Sequence, residues 1–589
     1  MNVKSPGGDA NLRLFQVKLG GKMFRRLRCR ATHVASKTLT ALGIGLCAAG
    51  PLAIQAHAAT SNPIVTTAEG KVEGFVVAGV AEFLGIPYAA PPVSTNPSAP
   101  ACSPTNLRWC PTVAHAPWSG VLKAMAFGPT CAQNSELGVF AGPPNNNEDC
   151  LYLNVYKPAN AKGRLAVIVF IHGGGSIDGE SNDYDGSKLA AQGNTVVVTI
   201  NYRLGLLGFF AHPAIDAEGH LFGNYGQLDQ QFALQWVQNN IAKFGGDPND
   251  VTVGGQSAGS EATLSNVVSP LAKGLFHRAI LESVTPEPTS LSDAESNAEA
   301  FAKSVGCGSG AGAAVARCLR GLTVPQILTG QARYGARYIM DGQILPKETN
   351  RAAIKAGHFN HVPIMSGTTL NEGTFTLMAQ EYYESPRVPF TAANYTAQVN
   401  SFTGSENIFG PFTNYPAGTP EAVAAHYPLT AYPNPAQAMA AITTDGWACQ
   451  QHFINGEFAS QVPVYAYEFD DQTAPSYYPQ MPGLQPLAYH TADLQYYFPL
   501  FHGGPLGIVH PLNSHQEVLS DELVAAWTNF AWTGNPNGGS KVKSWPLYNP
   551  DKPKASTILV ENVPALSAIS SAQFVAEHQC AFWDSILTY

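Results

Sequence analysis

Charge is scarce in this chain: Asp, Glu, Lys and Arg make up only 13% of its 589 residues, whereas 45% are hydrophobic. That balance excludes a disordered, self-repelling polypeptide and demands a large buried core. Internal repeats, collagen-like glycine spacing and long low-complexity tracts are also missing, which removes solenoids and fibrous arrays. No two cysteines stand in the CxxC spacing of a structural zinc site, and no metal is expected. Length alone would suggest several domains, but large α/β enzymes with insertions routinely exceed that prior. Asparagine- and proline-rich stretches at Pro143–Asn147 and Asn535–Gly539 read as surface loops.

One segment departs from the rest. Arg25, Arg26, Arg28, Arg30 and Lys37 precede an apolar run, Thr38–Ile54, that ends in Ala56-His57-Ala58. A basic start, a short apolar run and small residues at −3 and −1 describe a secretory signal peptide cleaved after Ala58. As a membrane anchor the run is too short, and Gly43, Gly45, Gly50 and Pro51 interrupt it. Translation from Met23 and export by either the Sec or the twin-arginine route stay open. Cys47 follows Leu46 rather than a small residue, so a lipid anchor is not expected. Without residues 1–58 the chain keeps 24 basic and 41 acidic residues, a net charge of −17. A surface that acidic excludes nucleic acid as a charge-driven partner. The remaining 59–589 read as a single catalytic domain whose oligomeric state the sequence does not disclose.

Eight cysteines stay after the leader: Cys102, Cys110, Cys131, Cys150, Cys307, Cys318, Cys449 and Cys580. An even number in an exported chain favours disulfides. Proximity in sequence suggests Cys102–Cys110, Cys131–Cys150 and Cys307–Cys318, leaving Cys449 and Cys580 as a long-range pair.

Near-continuous apolar runs with β-branched residues at Leu165–Ile171 and Thr195–Tyr202 predict strands buried on both faces. Gly226–Lys243 carries Leu228, Phe232, Leu234, Trp236, Val237 and Ile241 at amphipathic helix spacing. Val251-Thr252-Val253 forms a short strand, and Arg278–Leu281, Val362–Met365 and Val464–Phe469 continue the series. Strands alternating with helices predict an α/β fold with a mostly parallel sheet.

Two glycine-rich turns carry the chemistry. Gly255-Gln256-Ser257-Ala258-Gly259 is G-x-S-x-G between a strand and a helix, the context in which a nucleophilic serine is held on a strained turn above a sheet. His172-Gly173-Gly174-Gly175 directly follows Leu165–Ile171, and its glycines can present bare backbone N–H groups to a substrate oxygen. The run lacks a P-loop lysine and the G-x-G-x-x-G spacing, so a phosphate cradle is a poor reading. Either motif alone is compatible with a plain tight turn; together they form the lipase and esterase arrangement.

With these residues in view, the chain resembles the type-B carboxylesterase/lipase family, which includes the cholinesterases. Phe244 to Gly259 matches the family's active-site signature, and Glu148-Asp149-Cys150-Leu151-Tyr152-Leu153-Asn154-Val155-Tyr156 its second signature. Gly85-Ile86-Pro87-Tyr88-Ala89, Asn201-Tyr202-Arg203, Gly223-Asn224-Tyr225-Gly226, Asp229-Gln230 and Trp527-Thr528-Asn529-Phe530 support the match from about Pro63 onward. The resemblance implies an α/β-hydrolase fold, a large sheet with insertions forming a gorge, and ester hydrolysis without a cofactor. It implies Ser257 as nucleophile, Glu372 as acid and His490 as base, with oxyanion donors at Gly174, Gly175 and Ala258. It also favours the pairs Cys131–Cys150, Cys307–Cys318 and Cys449–Cys580, with Cys102 and Cys110 left over.

Several positions depart from the family. His490 is followed by Thr491 where glycine is common, and His502-Gly503 offers a second histidine of the same short pattern. Asp493 and Phe498 fit the family spacing for His490, which is therefore preferred. Gln256 replaces a usual glutamate and Ser176 a usual aromatic, changes expected to alter the pocket wall but not the triad. The loop between Cys131 and Cys150 lacks the tryptophan that holds a quaternary ammonium in cholinesterases, so choline esters are poor candidate substrates. Phe375–Tyr383 and Pro411–Tyr432 are candidate rim segments. A lipase acting on longer acyl chains and a non-catalytic binding protein on the same fold are the competing readings.

Overall fold

The computed structural model describes residues 62–140, 142–284, 287–334, 337–401, 418–538 and 544–586. The expected leader, residues 1–58, lies outside them. Its central feature is an eleven-stranded sheet. In chain order the strands are β1 (Phe75–Val77), β2 (Val80–Pro87), β3 (Tyr152–Pro158), β4 (Leu165–Ile171), β5 (Val196–Ile200), β6 (Gly246–Gln256), β7 (Arg278–Glu282), β8 (Ile364–Thr369), β9 (Val464–Phe469), β10 (Thr557–Glu561) and β11 (Ser567–Ser570). Across the sheet they run β11-β10-β9-β8-β7-β6-β4-β5-β3-β2-β1. The run from β10 to β5 is parallel; antiparallel pairs lie at both edges.

The core follows from strand alternation. In β4, Leu165, Val167, Val169 and Ile171 enter one buried cluster with Leu234, Trp236 and Val237 of helix α1 (Tyr225–Asn240). Ala166, Ile168 and Phe170 enter the opposite cluster with the last long helix, where Leu523 and Trp527 pack. Every residue of β4 and of β5 is buried, as strands covered by helices on both faces must be. Four more helices matter here: α2 (Ala258–Val268), α3 (Gly373–Tyr382), α4 (Pro435–Ala459) and α5 (Ser514–Thr533). Asn513 and Gln516 form a capping box that starts α5, and Gly534 at φ 74° ends it.

Residues 61–589 fall in one compact unit. The predicted strands β4 and β9 match residue for residue. The predicted helix Gly226–Lys243 divides into α1 and a 3₁₀ turn, Ile241–Phe244, where Gly245 at φ 92° reverses the chain into β6. The strand expected at Val362–Met365 begins two residues later and continues to Thr369, because Pro363 has no N–H for the ladder. Among the described residues, no helix is long and apolar enough to cross a membrane.

Disulfides join Cys102–Cys110, Cys131–Cys150, Cys307–Cys318 and Cys449–Cys580. Cys102 and Cys110 also lie close to His220 in a metal-like cluster, but their thiols are consumed by the bond between them.

Candidate active site

β6 delivers Ser257 to the carboxyl edge of the sheet, and α2 starts at the next residue. Ser257 sits at φ 59°, ψ −127°, a left-handed conformation that an L-residue adopts only when its surroundings enforce it. The enforcement is steric. A Cβ on Gly259 would fall on the carbonyl oxygen of Ile171, and one on Gly255 would fall on that of Gly259. Both flanking positions must therefore be glycine for strand, turn and helix to meet so closely. The Ser257 N–H is bonded to the Glu282 carbonyl at 2.9 Å, which fixes the turn to β7.

The glycine loop follows β4 beside this turn. Gly174 and Gly175 adopt φ 104° and 61°. Ala258 occupies the first position of α2, where an N–H has no partner within the helix. Among the described residues, none of the N–H groups of Gly174, Gly175 and Ala258 donates to another group of the protein. Two unspent donors on the glycine loop and one at the start of α2 form a site for negative charge.

Glu372 follows β8 and is fully buried. One carboxylate oxygen accepts hydrogen bonds from Ser283 Oγ (2.5 Å), Thr368 Oγ1 (2.6 Å) and the Thr369 N–H (2.8 Å). The other pairs with Nδ1 of His490 in a short hydrogen bond. Burial works against ionisation of Glu372, but the neighbouring imidazole and the hydroxyl donors outweigh it and hold the acid below its ordinary range. The two loops are tied together by backbone: the Asn371 N–H donates to the Ala488 carbonyl at 2.9 Å. His490 is 1% exposed and walled by aromatic rings, with Phe375 of α3 at 5.4 Å and Trp447 of α4 at 4.9 Å between ring centroids. His502 lies outside this cluster and bonds through Nδ1 to the carbonyl of Leu500.

Four expectations gain detail from the structure. Gln256 does more than shape a wall: its amide nitrogen lies 3.2 Å from Nε2 and 3.4 Å from Nδ1 of His490, against the edge of that imidazole. As the last residue of β6 it shares the strand end with Ser257, so its side chain is delivered to the same place. Ser176 is buried at φ 58°. Of the two rim segments, Phe375–Tyr383 follows the largely buried helix α3 as far as Tyr382 and ends in the exposed Tyr383, and Phe375 packs against the imidazole of His490. Residues 402–417 lie outside the description, and most of the remaining residues up to Tyr432 are exposed. There Tyr427 is fully buried and bonds to Asp445 and Trp583. Thr491 stands at φ 77°, which explains why glycine suits this position, and its hydroxyl is held by the Tyr477 hydroxyl at 2.5 Å.

Sequence reasoning missed Ser283, Thr368, Trp447 and Gln256 as neighbours of the Glu372–His490 pair. Gln256 stands beside Ser257 in the serine motif and Thr368 four residues before Glu372; Ser283 and Trp447 have no local signal and meet the site only through sheet register and helix packing.

Comparison with known proteins agrees with this geometry. Residues 61–583 match the model of the carboxylesterase family. The chain is 34% identical to an acylcarnitine hydrolase of Mus musculus over 524 residues, covering 84% of this chain and 87% of that one. It is 33% identical to a cocaine esterase of Homo sapiens, covering 90% and 92%. A solved structure titled PNB esterase superposes with a TM-score of 0.68 at 28% identity, covering 88% of this chain and all of that one. A glycine-flanked serine elbow on an α/β-hydrolase sheet, an acid–histidine pair beside it and matches over most of the chain lead to one conclusion: this chain belongs to the carboxylesterase family and is a carboxylic ester hydrolase.

Proposed function

We propose that Ser257, His490 and Glu372 act as nucleophile, base and acid in ester cleavage through an acyl-enzyme. The observation that carries this reading is the buried Glu372–His490 pair at the same sheet edge as the strained Ser257 turn and its three unspent N–H donors. His490 takes the Ser257 proton as Oγ attacks the ester carbonyl, and Glu372 stabilises the imidazolium. The N–H groups of Gly174, Gly175 and Ala258 receive the oxyanion, each contributing roughly 10²–10³-fold in rate. His490 then protonates the departing alcohol, and water repeats the sequence to free the acid and restore Ser257.

The substrate class is a soluble ester of short to medium acyl length. Support comes from the uncharged aromatic walls at Phe375 and Trp447 and from relatives such as the medium-chain fatty acyl-CoA hydrolase of Anas platyrhynchos. The leader is removed after Ala58, and residues 59–589 work outside the cytoplasm as one catalytic domain; four disulfides support an oxidising compartment. N-terminal sequencing of the exported protein checks the cleavage point. Replacing Ser257 by Ala is expected to lower kcat on p-nitrophenyl butyrate by roughly 10⁵–10⁶-fold with the fold retained. Full turnover by that variant refutes the assignment.

A further inference from the structure

Asp178 lies at the end of the glycine-rich turn and is completely buried. Among the described residues, no lysine or arginine pairs with it. Its carboxylate is satisfied instead by backbone. One oxygen accepts the Ser135 N–H at 3.0 Å, and the other accepts those of Glu136 at 2.5 Å and Leu137 at 3.1 Å. Its own N–H donates to the Gly174 carbonyl at 2.9 Å. A single residue thus ties the loop that carries the oxyanion donors to a separate stretch of chain, residues 135–140.

That stretch forms a wall of the site. Phe140 comes within 3.1 Å of where a Cβ on Gly174 would stand, and Leu137 within 3.9 Å of the same point on Gly175. Phe140 packs edge-on against Phe375 at 6.0 Å between centroids, and Phe375 in turn lies against His490. The wall does not support itself: it has no helix or strand, and Ser135 and Gly138 both adopt left-handed φ, 60° and 69°. Besides Asp178, tyrosine hydroxyls brace it. Tyr383 accepts the Gly138 N–H at 2.8 Å and donates to the Ser135 carbonyl, and Tyr478 donates to the Leu137 carbonyl at 2.6 Å. Three converging N–H donors in one turn require an acceptor with two oxygens. An amide in that place turns donors toward donors.

We propose that Asp178 is a positioning residue for ester hydrolysis, pinning the Leu137–Phe140 wall against the oxyanion loop and so setting the acyl length that the site accepts. The inference rests on the proposed function of Ser257. It is tested with the mature enzyme and p-nitrophenyl acetate, butyrate and octanoate, using Asp178→Asn and Tyr383→Phe. A fluorophosphonate probe counts competent nucleophiles in each preparation. Asp178→Asn is expected to take the label fully and to hydrolyse acetate within about threefold of wild type. Its butyrate-to-octanoate ratio of kcat/KM is expected to move by about tenfold, the scale at which acyl pockets discriminate. Tyr383→Phe, a change at a half-exposed side chain, is expected to move the ratio in the same direction by a smaller factor. Ratios unchanged in both variants, or equal losses on all three esters, overturn the proposal. If Asp178→Asn does not fold, the ratio in Tyr383→Phe decides. A wild-type enzyme that takes no label overturns the proposed function, and this inference with it.

Discussion

Glu372→Gln is the sharpest perturbation of the site because the structure dictates how the new amide must turn. One carboxylate oxygen receives three donors, from Ser283, Thr368 and the Thr369 N–H. The two hydroxyls can rotate, but the backbone N–H cannot, so the glutamine carbonyl is held at that position. Its NH₂ then faces Nδ1 of His490, where the native oxygen accepted a hydrogen bond. The imidazole is forced to carry its proton on Nε2, the nitrogen that has to accept one from Ser257, and the imidazolium loses its counter-charge. A loss of about 10³–10⁴ in kcat follows, equal to roughly 4–5.5 kcal/mol of transition-state stabilisation. KM should change little, since the acid does not contact substrate. Glu372→Asp keeps the charge and is expected to fall by a smaller factor. Steady-state rates on p-nitrophenyl butyrate, normalised to fluorophosphonate-reactive sites, give the comparison. A Glu372→Gln enzyme within tenfold of wild type refutes the reasoning.

Other consequences follow from buried groups away from the nucleophile. His578 is 2% exposed and bridges Asp445 at 3.3 Å and Glu468 at 2.6 Å. Burial alone would lower its pKa, but the bonds to both carboxylates raise it to about 10. Its contribution to stability is therefore complete below its ordinary value of 6.5 and is lost as pH climbs through 10. His578→Leu leaves both carboxylates buried without their cation and should cost about 3–5 kcal/mol in denaturant unfolding at pH 7. A variant as stable as wild type contradicts that bridge. Cys449–Cys580 closes a loop of 131 residues, against 8 for Cys102–Cys110. Loop entropy gives about 5 and about 2.5 kcal/mol respectively. Paired serine replacements should rank in that order by thermal midpoint. At position 491, Thr491→Val keeps a β-branched residue at φ 77° and deletes the hydroxyl bonded to Tyr477, whereas Thr491→Gly removes the backbone strain. The valine variant should melt lower than the glycine variant; the reverse order contradicts the strain argument.

Much of this architecture is legible in the sequence, for reasons visible in particular elements. β4 is read to the residue because a strand buried on both faces needs an unbroken apolar run, and β9 is read equally well although Glu468 interrupts its apolar residues. The serine turn and glycine loop are legible because close approach leaves no alternative to glycine. What stays hidden depends on register between distant segments. Ser283 reaches Glu372 because β7 and β8 pair Leu281 with Ser366 and Glu282 with Gly367, which no local pattern announces. His490 and His502 share the same short pattern; the spacing to Asp493 and Phe498 favours His490, and the path of the chain puts His490 on Glu372 and leaves His502 bonded to its own loop. Asp178 and His578 look like ordinary polar residues until their burial and partners are known.

The central claim is that the Ser257 hydroxyl forms the covalent bond to the acyl group. Intact-mass and peptide mapping of the enzyme after reaction with a p-nitrophenyl phosphonate ester test it most directly. The account predicts one phosphonyl group per chain, located on Ser257, and none on the alanine variant. A label on any other residue, or turnover of butyrate undiminished by complete labelling, contradicts it.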